Sequence, residues 1–196
     1  ELSFASNMLI AQSFSKLFAK SDKRESNMAK AIKHYKDAKK VLNQSLDIEK
    51  IAIIDSQIAF ISSALGMTNG ESTDLLIAIE CSKNALKYFS TKNDLIKWSV
   101  IANNLAQTMQ FYGNFYKEIK YINDSITIFN SILDLRDKNQ NPLMWAETKN
   151  NLASSYFLLG KLTNNFDDFK KAAEFFEEAT SVYKLHKQEQ KAHISL

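Results

Sequence analysis

Ile51, Ile54, Ile58, Ile61 and Leu65 follow one another at steps of three and four, the spacing that lays a single apolar stripe along an α-helix. A matching stripe runs through Trp98, Ile101, Leu105, Thr108/Met109 and Tyr112, and another through Ile122, Ile126, Phe129 and Ile132/Leu133. No alternation of period two persists beyond a few residues, so strands are not expected. Start and stop signals fall between the stripes. Asn141 stands where an N-cap is wanted, with Pro142, the only proline, at the first helical position. Thr91 with Asp94, and Asn165 with Asp167 and Asp168, supply capping oxygens and early acids. Asn69-Gly70 marks a turn. The pattern predicts an all-α chain, roughly four-fifths helical, with eight helices of about 17–21 residues joined by short turns.

The stripes repeat. Trp98, Asn103-Asn104-Leu105-Ala106 and Gly113 return as Trp145, Asn150-Asn151-Leu152-Ala153 and Gly160, each displaced by 47 positions. One step back gives Ile51, Ser56-Gln57-Ile58-Ala59 and Gly66; a further step gives the weaker copy Phe4, Ala11 and Ala19. The downstream half keeps the same register: Ala31/Tyr35/Ala38, Ala78/Ser82/Ala85, Ser125/Phe129/Ile132 and Ala172/Phe176/Ala179. Four units, roughly 1–47, 48–94, 95–141 and 142–188, fill 1–196 as one repeat domain.

Gly160 followed 12, 16 and 19 positions later by Ala172, Phe176 and Ala179 resembles the tetratricopeptide repeat, as do Met109-x-x-Tyr112-Gly113-x-x-Tyr116 and Tyr156-x-x-Leu159-Gly160. Unit 2 departs from the pattern at Ser82 and unit 3 at Ile132. The period exceeds the family's usual length by about 13 residues, and the Asn-Asn-Leu-Ala segment is similar to the long-helix repeats of kinesin light chains and of bacterial multidomain regulators. The resemblance implies a right-handed helical solenoid of about four helix-turn-helix repeats, eight antiparallel helices in all, with the first helix of each unit lining a concave surface.

It also implies where a ligand would lie. The family's ligand-facing positions correspond to Ser13, Lys16 and Lys20 in unit 1, and to Phe60, Ser63 and Met67 in unit 2. Unit 3 contributes Gln107, Gln110 and Asn114, and unit 4 Ser154, Phe157 and Lys161. One turn earlier stand Ser56, Asn103 and Asn150. An amide both donates and accepts, so a row of Asn and Gln suits capture of peptide backbone. A polar face is also what any solvated helix shows. The family's clamp for acidic tails wants Lys and Asn on successive first helices. Lys16 and Lys20 fit it, but Ser63 and Met67 occupy the next places, so the clamp is not reproduced.

Composition changes this picture little. Five glycines and prolines among 196 residues leave no material for a turn-rich β fold. One cysteine excludes an internal disulfide framework and a multi-cysteine zinc site and suits a reduced, cytoplasmic setting. No run of 18 apolar residues exists, so no membrane partner is expected. The first residue is Glu1, as expected of an excised domain or processed chain. Net charge is +3, with residues 1–47 at +4 and the remainder at −1. Lys30, Lys33, Lys36, Lys39 and Lys40 form a basic helix, most simply a solvated face, and no nucleic-acid partner is expected.

Chemistry is scarce. His186, Glu189 and His193 share a helical face only if the last helix runs that far. Cys81, between Ala78 and Ala85, has no histidine beside it in the repeat and reads as a half-buried structural thiol. There is no glycine-rich phosphate loop, and the adjacent pairs Asp167-Asp168 and Glu177-Glu178 point to different sides of a helix. No catalytic residue, metal site or cofactor is expected. The reading is a protein-interaction module that binds a peptide or helix in its groove. The alternative is a peptide- or protein-sensing regulatory domain of a transcription regulator or defence ATPase.

Overall fold

The computed structural model describes residues 2–17, 23–91 and 94–186. Among them eight α-helices follow one another, with no strand: α1 (Phe4–Leu17), α2 (Arg24–Lys40), α3 (Ile48–Asn69), α4 (Ser72–Thr91), α5 (Leu95–Tyr116), α6 (Ile119–Leu133), α7 (Pro142–Thr163) and α8 (Phe166–Leu185). The protein is an all-α helical repeat, as the 47-residue period implies. Ala19 and Lys20, Glu189 and His193 lie outside the described residues.

Several of the signals read from sequence fall at helix ends, although Thr91 closes α4 instead of capping α5, and Asn141 stands at the N-cap of α7 without a side-chain cap hydrogen bond. Pro142 opens α7, and Asn165 caps α8 by accepting the Asp167 N–H at 3.0 Å. Asp94 caps α5 in the same way, accepting the Lys97 N–H at 3.1 Å. Gly70 closes α3 at φ 73°, a left-handed conformation that glycine adopts without a Cβ penalty. Its N–H returns to the Gly66 carbonyl at 2.9 Å.

The chain divides into two compact units, residues 1–101 and 102–196, the division falling within α5. In the first, α1 packs on α2, α2 on α3 and α3 on α4. The repeat's small and aromatic positions make this core. Ala31, Tyr35 and Ala38 of α2 meet Ile54, Ile58, Ile61 and Leu65 of α3, all buried. Ala52, Ala85, Phe89 and Ile101 form a second cluster. In unit 102–196, α6 packs on α7 and α7 on α8. Ile122, Phe129, Ile132 and Leu152 are fully buried there, and Ala146 and Ala179 pack with Val182 and Tyr183. Buried Arg136 secures the α6–α7 connection, its Nη1 donating to the Met144 carbonyl at 2.9 Å and to Thr148 Oγ1.

One helix carries a conspicuous polar exception. α3 is the one helix, among the described residues, long and apolar enough to cross a membrane. More than half of its most apolar stretch is covered by neighbouring helices, and Asp55 sits inside it. Lys39 of α2 meets that carboxylate at 2.5 Å.

Candidate peptide-binding face

The expected ligand-facing residues fall on the first helix of each pair, and the two compact units treat them differently. In unit 1–101, Ser13 and Lys16 of α1 are exposed, with Ser13 Oγ donating to the Leu9 carbonyl at 2.8 Å. On α3, Ser56 Oγ donates to the Ile53 carbonyl at 2.7 Å, and Ser63 lies 4.0 Å from the Met67 sulfur. Phe60, one turn beyond Ser56, leaves 51% of its surface to solvent. An aromatic ring left open on a long helix is the largest apolar investment that face makes.

The first turns of α5 extend this face. A cavity of about 360 Å³ opens between them and α3, lined by Ile53, Ser56 and Gln57 on one side and Ile96, Val100 and Ile101 on the other, with Phe89 and Lys97 completing it. Ile96 is 77% exposed, and Leu95 and Val100 are exposed beside it. The stripe rule selects Trp98, Ile101 and Leu105 for the core, and Ile96 and Val100 stand two positions either side of Trp98. At about 100° per residue they lie on the opposite side of the helix. Aliphatic residues on both sides of one helix end were the available sign that a second apolar surface exists here.

In unit 102–196 two of the amides are engaged within the fold. Gln110 Nε2 donates to the Asn151 carbonyl at 3.1 Å and to Ser155 Oγ at 3.0 Å, which ties α5 to α7. Asn103 is buried, and its Oδ1 accepts from Asn151 Nδ2 at 3.4 Å. Gln107, Asn114 and Asn150 are half-buried, and the Asn150 carbonyl accepts from Ser154 Oγ at 3.0 Å. Phe157 is 46% exposed and meets Phe169 edge-on at 5.6 Å, one turn before exposed Lys161. An apolar ring therefore stands open on α7 about one helical turn beyond the repeat position that Phe60 holds on α3.

Chemistry elsewhere stays quiet. No group of three or more His, Cys, Asp or Glu is placed to hold a metal ion among the described residues. His186 is exposed at the end of α8. Lys39 and Lys40 of the basic helix are ion-paired with Asp55 and Asp37, and Lys30 lies 5.3 Å from the Phe14 ring centroid. Cys81 is half-buried, and burial, with the Asp55 charge beside it, pushes its thiol from 9.0 up to about 11. At pH 8 it is expected to alkylate about a hundredfold more slowly in the folded protein than in urea, because the thiolate is the reactive form. Equal rates in the two states would show that the Cys81 thiol is not buried in the folded protein.

A family model described as "Tetratricopeptide repeat" matches residues 150–184, the second half of α7 with nearly all of α8, including Gly160, Ala172, Phe176 and Ala179. Among solved structures, a chain titled "DHF58 filament" is similar in fold, with a TM-score of 0.51 over 96% of this chain and 97% of that one at 14% identity. No curated protein matches in sequence. Residues 150–184 thus match a tetratricopeptide repeat, within a chain whose described residues form an all-α helical repeat.

Proposed function

We propose that this chain is an interaction module whose four 47-residue, long-helix units serve as one domain, and that it binds a peptide or helix along the faces of α3 and the start of α5. The observation that carries this reading is the open apolar surface there: Ile96 and Val100 stay exposed in the wall of a cavity of about 360 Å³, and Phe60 is exposed on α3 one turn beyond Ser56 of the same wall. Isolated exposed apolar residues are ordinary, whereas a contiguous group that rims a cavity is the usual mark of a binding surface. Ser56 and Gln57 in the same wall offer hydrogen bonds to peptide backbone. Phe157 extends the same kind of exposed ring to α7.

Peptides selected from a random display library against the wild-type chain provide the test. Their affinities would then be measured for Phe60→Ala, Ile96→Ser and Val100→Ser. Because these side chains are exposed, thermal midpoints should stay within about 2 °C of wild type. Removal of a central apolar anchor should weaken binding by about tenfold or more. Equal binding by all three variants would move the interface off this face.

A further inference from the structure

The open side of α3 is free of charge. Across residues 51–69 the one charged residue is Asp55, which is buried and bound to Lys39. Ser56, Gln57, Phe60, Ser63, Ala64 and Met67, all partly or largely open to solvent, follow one another at helical spacing with no ionised group among them. Over residues 95–101 of α5 the one charged residue is Lys97. The second helices of the same unit show that composition is not the cause. There α2 exposes Lys30, Lys33, Lys36 and Lys40, and α4 exposes Glu80, Lys83 and Lys87. A solvated helix face normally carries such charges, and α3 withholds them from the side on which Phe60 stands open.

The charged groups at the starts of α3 and α5 are matched among themselves. Lys50 Nζ meets Asp47 at 2.7 Å, and Lys97 Nζ meets Asp94 at 3.1 Å. The Tyr88 hydroxyl of α4 donates to the Glu49 carboxylate. Lys97, the one ion in the lining of the α3–α5 cavity, also lies 5.3 Å from the Phe89 ring centroid. The unit's other first helix, α1, carries one charged residue, Lys16. The rest of the cavity wall is aliphatic, from Ile53, Ile96, Val100 and Ile101, with the Ser56 hydroxyl and the Gln57 amide beside it. A charged side chain laid there would give up water and find Lys97 already bound to Asp94. An aliphatic or aromatic side chain gives up nothing and covers apolar surface.

We propose that the α3–α5 face selects an uncharged, apolar segment of a partner polypeptide. One bulky aliphatic or aromatic side chain of that segment enters the cavity between Ile53 and Val100, and its neighbours cover Phe60 and Met67 with no ionised group among them. The inference rests on the reading of this face as the binding surface and adds what the face accepts and what it turns away. Discrimination comes from the missing counter-charge rather than from a specific polar contact.

The test uses the peptides that a random display library yields against the wild-type chain, keeping those whose binding is lost with Ile96→Ser. Alanine substitution within each peptide then finds its contact residues, which are expected to include no Asp, Glu, Lys or Arg. Affinities should change less than about twofold between about 50 and about 500 mM NaCl, since no ion pair is formed for salt to screen. Gln57→Glu and Gln57→Lys place opposite charges at one exposed position of the cavity wall. Both should weaken binding about tenfold, with thermal midpoints kept, because either charge must be desolvated. Charged contact residues, a steep loss of affinity with salt, or tighter binding by either Gln57 variant would overturn the proposal while leaving the face a binding surface. A library with no binder sensitive to Ile96→Ser would remove the face itself. Binding to neutral phosphatidylcholine vesicles that Ile96→Ser abolishes would assign the face to lipid and overturn the proposal as well.

Discussion

Gly113→Leu is expected to lower the stability of the chain by about 3 kcal/mol and its thermal midpoint by roughly 6–12 °C. Gly113 lies inside α5, where glycine is a poor helix former, and leucine in a solvated helix would gain most of 1 kcal/mol at such a position. The sign of the change therefore reports packing. A Cβ at Gly113 would stand 2.9 Å from the Glu118 carbonyl oxygen and 2.9 Å from both Cγ1 and Cδ1 of Ile122. The isoleucine end can shift, but the carbonyl cannot do so cheaply. It belongs to the turn in which the Glu118 N–H reaches the Gly113 carbonyl at 2.8 Å, and Lys117 beside it already holds φ 61°. Three further carbons of leucine must then enter a space where α5 and α6 touch. Gly113→Ala should fall between the two, with the helix-propensity gain set against the carbonyl contact. If Gly113→Leu melts at or above the wild-type temperature, α5 and α6 do not approach each other at this residue.

The same position shows why much of the fold was legible. A stripe at steps of three and four, recurring with small residues every 47 positions, constrains each helix and its partner together. Ile54, Ile58 and Ile61, or Ile122, Phe129 and Ile132, accordingly end in the core. The candidate face was less legible for a related reason. Helical periodicity says which side of one helix a residue occupies, but not which neighbouring side chain it meets. Asn103 and Gln110 fall on the expected side of α5, yet Asn151 and Ser155 of α7 lie within hydrogen-bonding reach of them. Their partners depend on the axial offset between two helices, which no single-helix pattern records. Ile96 and Val100 fall outside the single apolar stripe that the sequence shows for α5. The Lys39–Asp55 pair was hidden more completely. Asp55 sits directly after Ile54 in sequence, and its partner is on a different helix 16 residues away.

That pair supports the second large effect. Lys39→Met should destabilise the chain by about 3 kcal/mol near neutral pH, because it leaves a carboxylate in the core without its counter-charge. In the intact protein, burial pushes the Asp55 carboxyl above its ordinary value, while Lys39 and the Cys81 thiol pull it down. Without Lys39 the upward push is opposed less, and the gap between the folded and unfolded values widens. A carboxyl raised in the folded state binds its proton more tightly there than in the unfolded chain. Its contribution is most favourable below the unfolded value and is lost as pH rises through the folded one. The penalty of Lys39→Met should therefore be full at neutral pH and shrink as pH falls towards and through the ordinary carboxylate range, below which Asp55 is neutral in both states. Lys39→Met/Asp55→Leu removes the stranded charge and should recover most of the loss at pH 7, with little remaining dependence on pH. Urea unfolding of the wild type and both variants at several pH values measures all three quantities. A Lys39→Met penalty that is flat with pH, or a double variant no more stable than the single one, would show that Asp55 is not an ionised, buried partner of Lys39.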